Sequence, residues 1–258
     1  MKRFCFTVDD NIIFLKEITQ NGLKSIFDHP YLALYRHLHE KYDLKIQLNL
    51  FYDAYGFTLS EVSDKHRREW EANADWLKLS FHSRKAIPRP YENSGYGEMF
   101  ADCELTHREI LRFASEASLA KTTTIHYCLA TEEGVRALAD LGVRGLLGIY
   151  GTSENPQGSY YSASEECDEL RQGKTVTQNG MDFAGIDIVL NSSTKDAILS
   201  RLASLSDREL IKVMIHEQYF YPHDRHYQPE FAEKLDATFA FLADNGFKSV
   251  FFENTLSL

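Results

Sequence analysis

Four short apolar runs in this chain end on side chains that can bind a metal or move a proton. The stretch RFCFTVDDN, residues 3–11, runs into the adjacent carboxylates Asp9 and Asp10. Three of the ten histidines, His82, His126 and His216, close the runs LSFH, TTIH and VMIH. Imidazole and carboxylate together are the usual ligand set for Zn²⁺ and other first-row divalent ions. A hydrolytic metal site keeps three protein ligands and leaves a position for water, whose pKa the ion lowers. Each feature alone has a plainer reading. An Asp doublet suits a solvated turn or a helix N-cap before NIIFLKEI, and a lone strand-end histidine is usually a hydrogen-bonded structural residue. Neighbouring residues of a strand point to opposite faces, so the doublet is expected to lie just past a strand end. Three histidines sharing a rim with it point to a site.

The elements that must hold this rim are legible as alternating β-branched or apolar runs and helical patterns. The runs cover 3–8, 45–52, 76–82, 122–127, 145–150, 185–191, 211–217 and 248–254. Helical periodicity covers 29–42, with Pro30 in the first turn and Asp28 upstream as a cap, then 103–117 and 131–142. In that last segment Thr131 is expected to cap and Gly142 to stop the helix; further helices are expected over 194–205 and 229–246. Strands alternating with helices imply parallel pairing through crossovers. Seven or eight of them point to a closed or nearly closed (β/α) barrel; an open doubly wound sheet is the alternative, though no G-x-G-x-x-G follows any strand to favour a dinucleotide site. In such barrels the C-terminal rim carries the chemistry. Here that rim holds Asp9, Asp10, Asn49, His82, His126, Tyr150, Asn191, His216, Glu217 and Glu253. Residues 151–184 break the rhythm with turn formers, and their Gln178-Asn179-Gly180 predicts a small hairpin inside an irregular insertion. No linker divides the chain, so residues 1–258 are expected to form one catalytic domain.

The formal net charge of −10 argues against a general nucleic-acid or anionic-membrane surface. A small-molecule or carbohydrate substrate fits better, and aromatic residues, 13% of the chain, suit a sugar cleft as well as a core. The four cysteines show no CxxC spacing. With no export signal or membrane-length apolar run, a reduced cytoplasm is the expected compartment.

FTVDD resembles the T-F-D-D motif of the NodB-type polysaccharide deacetylases, carbohydrate esterase family 4. LSFHSR falls where that family has its metal histidine, and VMIH resembles its final L-x-H motif. The resemblance covers nearly the whole chain and implies a distorted (β/α) barrel. It implies Asp10 and His82 as metal ligands, Asp9 as the base that activates water, and His216 as the acid that protonates the leaving group. Two departures stand out. The family's second histidine, four residues after the first, is here Ala86, and its R-x-P-Y motif is displaced to Arg89, Pro90 and Tyr91. From its position on the neighbouring strand end, His126 is the candidate third ligand, ahead of Glu217, Asn49 and Asn191.

Glu217 is also a candidate catalytic carboxylate, and Arg89, Tyr91, Tyr219, Tyr221 and Asn49 are candidate substrate contacts. Zinc is the favoured cofactor, with cobalt, nickel and manganese open. The resulting expectation is a metal-dependent hydrolase of an acyl C–N or C–O bond, deacetylating a sugar derivative. The alternatives are a degenerate family member that only binds carbohydrate or a partner, and a metal-free glycosidase using Asp9 and Glu217.

Overall fold

In the computed structural model of the chain, which describes residues 1–151 and 158–256, strand β1 (Arg3–Asn11) is buried along nearly its whole length. That is the condition of a parallel strand covered on both faces. Phe4, Phe6 and Val8 enter the largest apolar core, where Phe6 meets Phe239 edge-on at 5.0 Å. Alternate residues turn the other way: Cys5 packs with Leu147, Ala184 and Phe252 inside the barrel, and Asp9 continues that inward series.

The other strands are β2 (Ile46–Ala54), β3 (Phe57–Thr58), β4 (Leu77–Lys85), β5 (Thr122–Thr123), β6 (Gly145–Gly148), β7 (Thr175–Gln178), β8 (Met181–Gly185), β9 (Ile188–Val189), β10 (Leu210–His216) and β11 (Lys248–Ser249). One sheet runs β3-β2-β1-β10-β9, with β4 on β2 and β11 on β1; a second runs β5-β6-β8-β7. Among the described residues, pairings within the wall are parallel, and only the hairpins β2–β3 and β7–β8 are antiparallel. The sheets meet where β8 leads into β9: Ile186 N–H bonds Gly148 of one sheet and Asp187 N–H bonds Lys212 of the other. On the far side Thr123 Oγ1 donates to the Phe81 carbonyl and Ser80 Oγ to that of Thr122. This is a distorted (β/α) barrel, the fold the motif resemblance implied, and not the open doubly wound sheet that the alternation of runs also allowed.

Helices α1 (Ile13–Gln20), α2 (Pro30–Tyr42), α3 (Arg67–Ala72), α4 (Tyr96–Phe113), α5 (Glu132–Asp140), α6 (Ser164–Arg171), α7 (Lys195–Ser204) and α8 (Phe231–Asp244) pack outside. Thr131 caps α5 by accepting Gly134 N–H, and Gly142 follows it at φ 90°, a left-handed conformation that suits glycine. The cap of α2 is His29, not Asp28: its Nδ1 accepts Tyr31 N–H while Nε2 bonds Glu17. Asp28 instead caps the preceding 3-10 turn through Ser25 N–H.

Three expectations are corrected. β1 does not end at Val8 but continues through both aspartates to Asn11. The run 122–127 is strand only over Thr122–Thr123, and His126 lies in a 3-10 turn. Residues 151–184 hold the expected hairpin, turning at Asn179 and Gly180, both with positive φ. They also hold helix α6 and β8, a fully buried strand of the barrel wall; residues 152–157 lie outside the described residues. Among the described residues no helix is long and apolar enough to cross a membrane.

Candidate metal centre

Alternation along β1 would send Asp9 inward and Asp10 outward, into apolar core. The backbone overrides this. Asp10 takes a left-handed φ of 63°, and the β1–β2 register shifts between Val8 and Asn11. Such a bulge re-aims side chains. Both carboxylates therefore line one cavity of about 790 Å³. Asn11 repairs the ladder, its Nδ2 donating to the carbonyls of Val8 (2.6 Å) and Asn49 (3.2 Å) while its Oδ1 accepts Tyr31 OH. A second irregularity, between Leu50 and Phe51 in the β2–β4 register, lies at His82.

His82 Nε2 lies 3.1 Å from Asp10 Oδ1 and 3.1 Å from His126 Nδ1, and His126 Nδ1 lies 3.2 Å from Asp10 Oδ1. These three atoms form the metal-competent cluster found among the described residues. The Thr124 carbonyl, 2.5 Å from His82 Nδ1, can only accept, so Nδ1 carries a proton and Nε2 is the ring nitrogen turned towards Asp10 and His126. Phe51 packs against both imidazoles, with ring centroids 5.2 and 4.9 Å away. His126 stands on a strained turn, since Tyr127 and Cys128 both take positive φ.

Burial and the neighbouring side chains pull the protonation of these three groups in opposite directions. Burial opposes ionisation of Asp10, yet hydrogen bonds from His126 and His82 hold it well below the usual carboxylate range. Burial likewise opposes a charged His82, but Asp9 and Asp10 outweigh it and raise its pKa. Burial lowers His126, and Asp10 offsets this only in part. Ligand atoms about 2.0–2.1 Å from one tetrahedral ion stand roughly 3.3 Å apart. The observed triangle has that size, and its donor set suits a first-row divalent ion.

Asp9 sits beside the triangle, its Oδ1 accepting Asn49 Nδ2 at 2.6 Å. Asn49 in turn accepts Gln47 Nε2 (2.8 Å), and Gln47 accepts Thr122 Oγ1 (2.8 Å), a buried chain polarised towards the carboxylate. Burial raises the Asp9 pKa against His82, His216 and Asn49, which lower it. His216, paired with Asp9 in the β1–β10 register, also lines the cavity. Its Nδ1 donates to Asn191 Oδ1 at 2.9 Å, which leaves Nε2 as the free ring nitrogen.

The remaining candidates separate. Arg89 and Tyr219 line the cavity, Arg89 on a left-handed φ of 52° and ion-paired with Glu92. Asn49 is fully buried and serves Asp9 rather than the cavity. Glu217 is also fully buried, and its carboxylate accepts the N–H groups of Ile12, Ile13 and Phe14 and the hydroxyl of Tyr221. Glu217 and Tyr221 are therefore joined in the wall, not presented to substrate. Tyr91 is buried as well, its hydroxyl accepting Arg84 N–H and donating to Asp102. The sequence reading missed Gln218, whose Nε2 donates to Asp10 Oδ2 at 2.8 Å; its place two residues after His216 was the available hint.

Among solved structures the chain is similar to a family 4 acetyl xylan esterase from Clostridium thermocellum in complex with a cobalt ion. The match has TM-score 0.51 and 12% identity, over 98% of this chain and 89% of that one. It is also similar to a 4-alpha-glucanotransferase from Thermococcus litoralis, with TM-score 0.60 and 14% identity over 98% of this chain. The chain spans only 40% of that enzyme's length. A further match is BA3943 from Bacillus anthracis, described as a CE4 family pseudoenzyme, with TM-score 0.48, 15% identity and coverage of 99% and 66%. No protein-family model and no curated protein matches the chain. The chain has the NodB-like fold of the family 4 carbohydrate esterases, the fold its motifs implied.

Proposed function

We propose that this chain is a metal-dependent hydrolase of an acyl C–N or C–O bond, with an acetylated sugar derivative as substrate and residues 1–258 as one catalytic domain. The observation that carries the reading is the triangle of Asp10 Oδ1, His82 Nε2 and His126 Nδ1, each within 3.2 Å of the others. These three atoms would hold the ion, with His126 taking the place of the histidine that Ala86 lacks. Zinc suits two imidazoles and a carboxylate, and cobalt, the ion in the esterase complex, is the next choice.

A bound divalent ion supplies Lewis-acid polarisation of the acyl oxygen and acidifies a water. Asp9, fixed through one oxygen by Asn49, takes the proton of that water. Its burial raises its basicity, against the opposing pull of His82, His216 and Asn49. His216, oriented by Asn191, delivers a proton from Nε2 to the departing nitrogen or oxygen. Arg89 and Tyr219 bind the substrate across the cavity mouth.

The test is hydrolysis of a panel of N- and O-acetylated sugars by protein as purified, after chelation, and after return of Zn²⁺ or Co²⁺. Activity lost and regained with metal is expected. Metal-loaded protein that turns over none of the panel would favour the binding-only relative, and chelator-insensitive glycoside cleavage would favour two-carboxylate chemistry.

A further inference from the structure

His216, Glu217 and Gln218 are consecutive, and the first two are already committed, one to Asn191 at the cavity and the other to the N-terminus of α1. Gln218 carries the third contact. Its Nε2 donates to Asp10 Oδ2, while Oδ1 of the same carboxylate faces the two histidines. A flipped amide would set oxygen against carboxylate oxygen, so the contact fixes the amide's orientation. The cost is visible at its other end: Gln218 Oε1 is buried with no hydrogen-bond partner, a condition native structures retain rarely.

A short carboxylate on a left-handed backbone can offer a metal one oxygen or both. Two would add a ligand and crowd the position that a hydrolytic centre keeps for water. We infer that Gln218 is a positioning residue of the metal centre, occupying Asp10 Oδ2 so that Oδ1 alone is presented beside His82 and His126. This rests on the metal reading above. Glu217 makes the arrangement rigid, because it ties the segment carrying Gln218 to residues 12–14, which begin two positions after Asp10.

The experiment compares wild type with Gln218→Met, which keeps side-chain length without a donor, and Gln218→Ala. Zn²⁺ affinity is measured by competition with a fluorescent chelator, the visible spectrum with Co²⁺, and the melting temperature without metal. Both variants are expected to lose about 10–100-fold in Zn²⁺ affinity, the usual effect of removing such a supporting contact. Their Co²⁺ absorption is expected to weaken as the coordination number rises, with the metal-free Met variant melting as wild type does. Affinity and spectrum indistinguishable from wild type in both variants would overturn the role of Gln218. A wild type that binds neither ion would overturn the metal reading, and this role with it.

Discussion

Glu217 Oε2 accepts the backbone N–H of Ile12 at 2.6 Å, joining residues 205 positions apart. Helix α1 begins at Ile13 with no side-chain cap of its own and no acidic residue in its first turn. Glu217, just past the end of β10, supplies the missing cap, its two oxygens accepting the N–H groups of Ile12, Ile13 and Phe14, while burial pushes its carboxyl up to about 7. Because Ile12 follows Asp10 by two residues and Glu217 follows His216 directly, the same carboxylate fixes two sides of the site.

Replacing Glu217 with Ala would leave the N–H groups of Ile12, Ile13 and Phe14 buried without an acceptor. Each unsatisfied group costs about 1–3 kcal/mol. A loss of roughly 3–5 kcal/mol is expected on that basis, read by urea denaturation of the variant beside wild type. A change within a few tenths of a kcal/mol would mean that the carboxylate is not a structural clamp.

Tyr91→Phe removes a hydroxyl that bonds Arg84 N–H and Asp102. The expected result is a loss of about 1–3 kcal/mol in stability with metal affinity unchanged. If stability held while substrate KM rose, Tyr91 would belong to the substrate site after all.

His107, buried on α4 beside Cys103, is pushed down to about 4 by burial, from an ordinary value of 6.5. Its lowered folded-state pKa means that the unfolded chain binds the extra proton between those values. Stability contributed by neutral His107 is thus intact above pH 6.5, falls as pH drops towards 4, and levels off below. The full loss is roughly 3 kcal/mol. From pH 7 to 4 the urea midpoint of wild type should fall relative to that of His107→Phe; parallel curves would contradict the assignment.

Much of this was readable from residue patterns, because the apolar runs that lead to these Asp and His residues are parallel strands opening on one rim. Only His216 closes its strand: β1 and β4 continue past Asp10 and His82, and His126 lies in a turn. Asp9, Asp10, His82, His126 and His216 do line a single cavity. Glu217 was not separable by pattern. A clamp and a catalytic carboxylate look alike in sequence when the N–H groups they bind come from the other end of the chain. Tyr91 and Tyr221 misled for the same reason, their hydroxyls being committed to buried partners. The bulge at Asp10 was hidden because a backbone switch to positive φ at a non-glycine residue leaves no composition signal. Strand β8 and helix α6 were masked by the turn-rich residues around them.

The altered ligand triangle is tested most directly by metal content. Protein purified without chelator would be assayed by elemental analysis as wild type, Asp10→Ala and His126→Ala. Near one equivalent of a divalent ion in wild type, lost in both variants, is the expected result. Full occupancy retained in His126→Ala, or no metal in wild type even after loading, would contradict it.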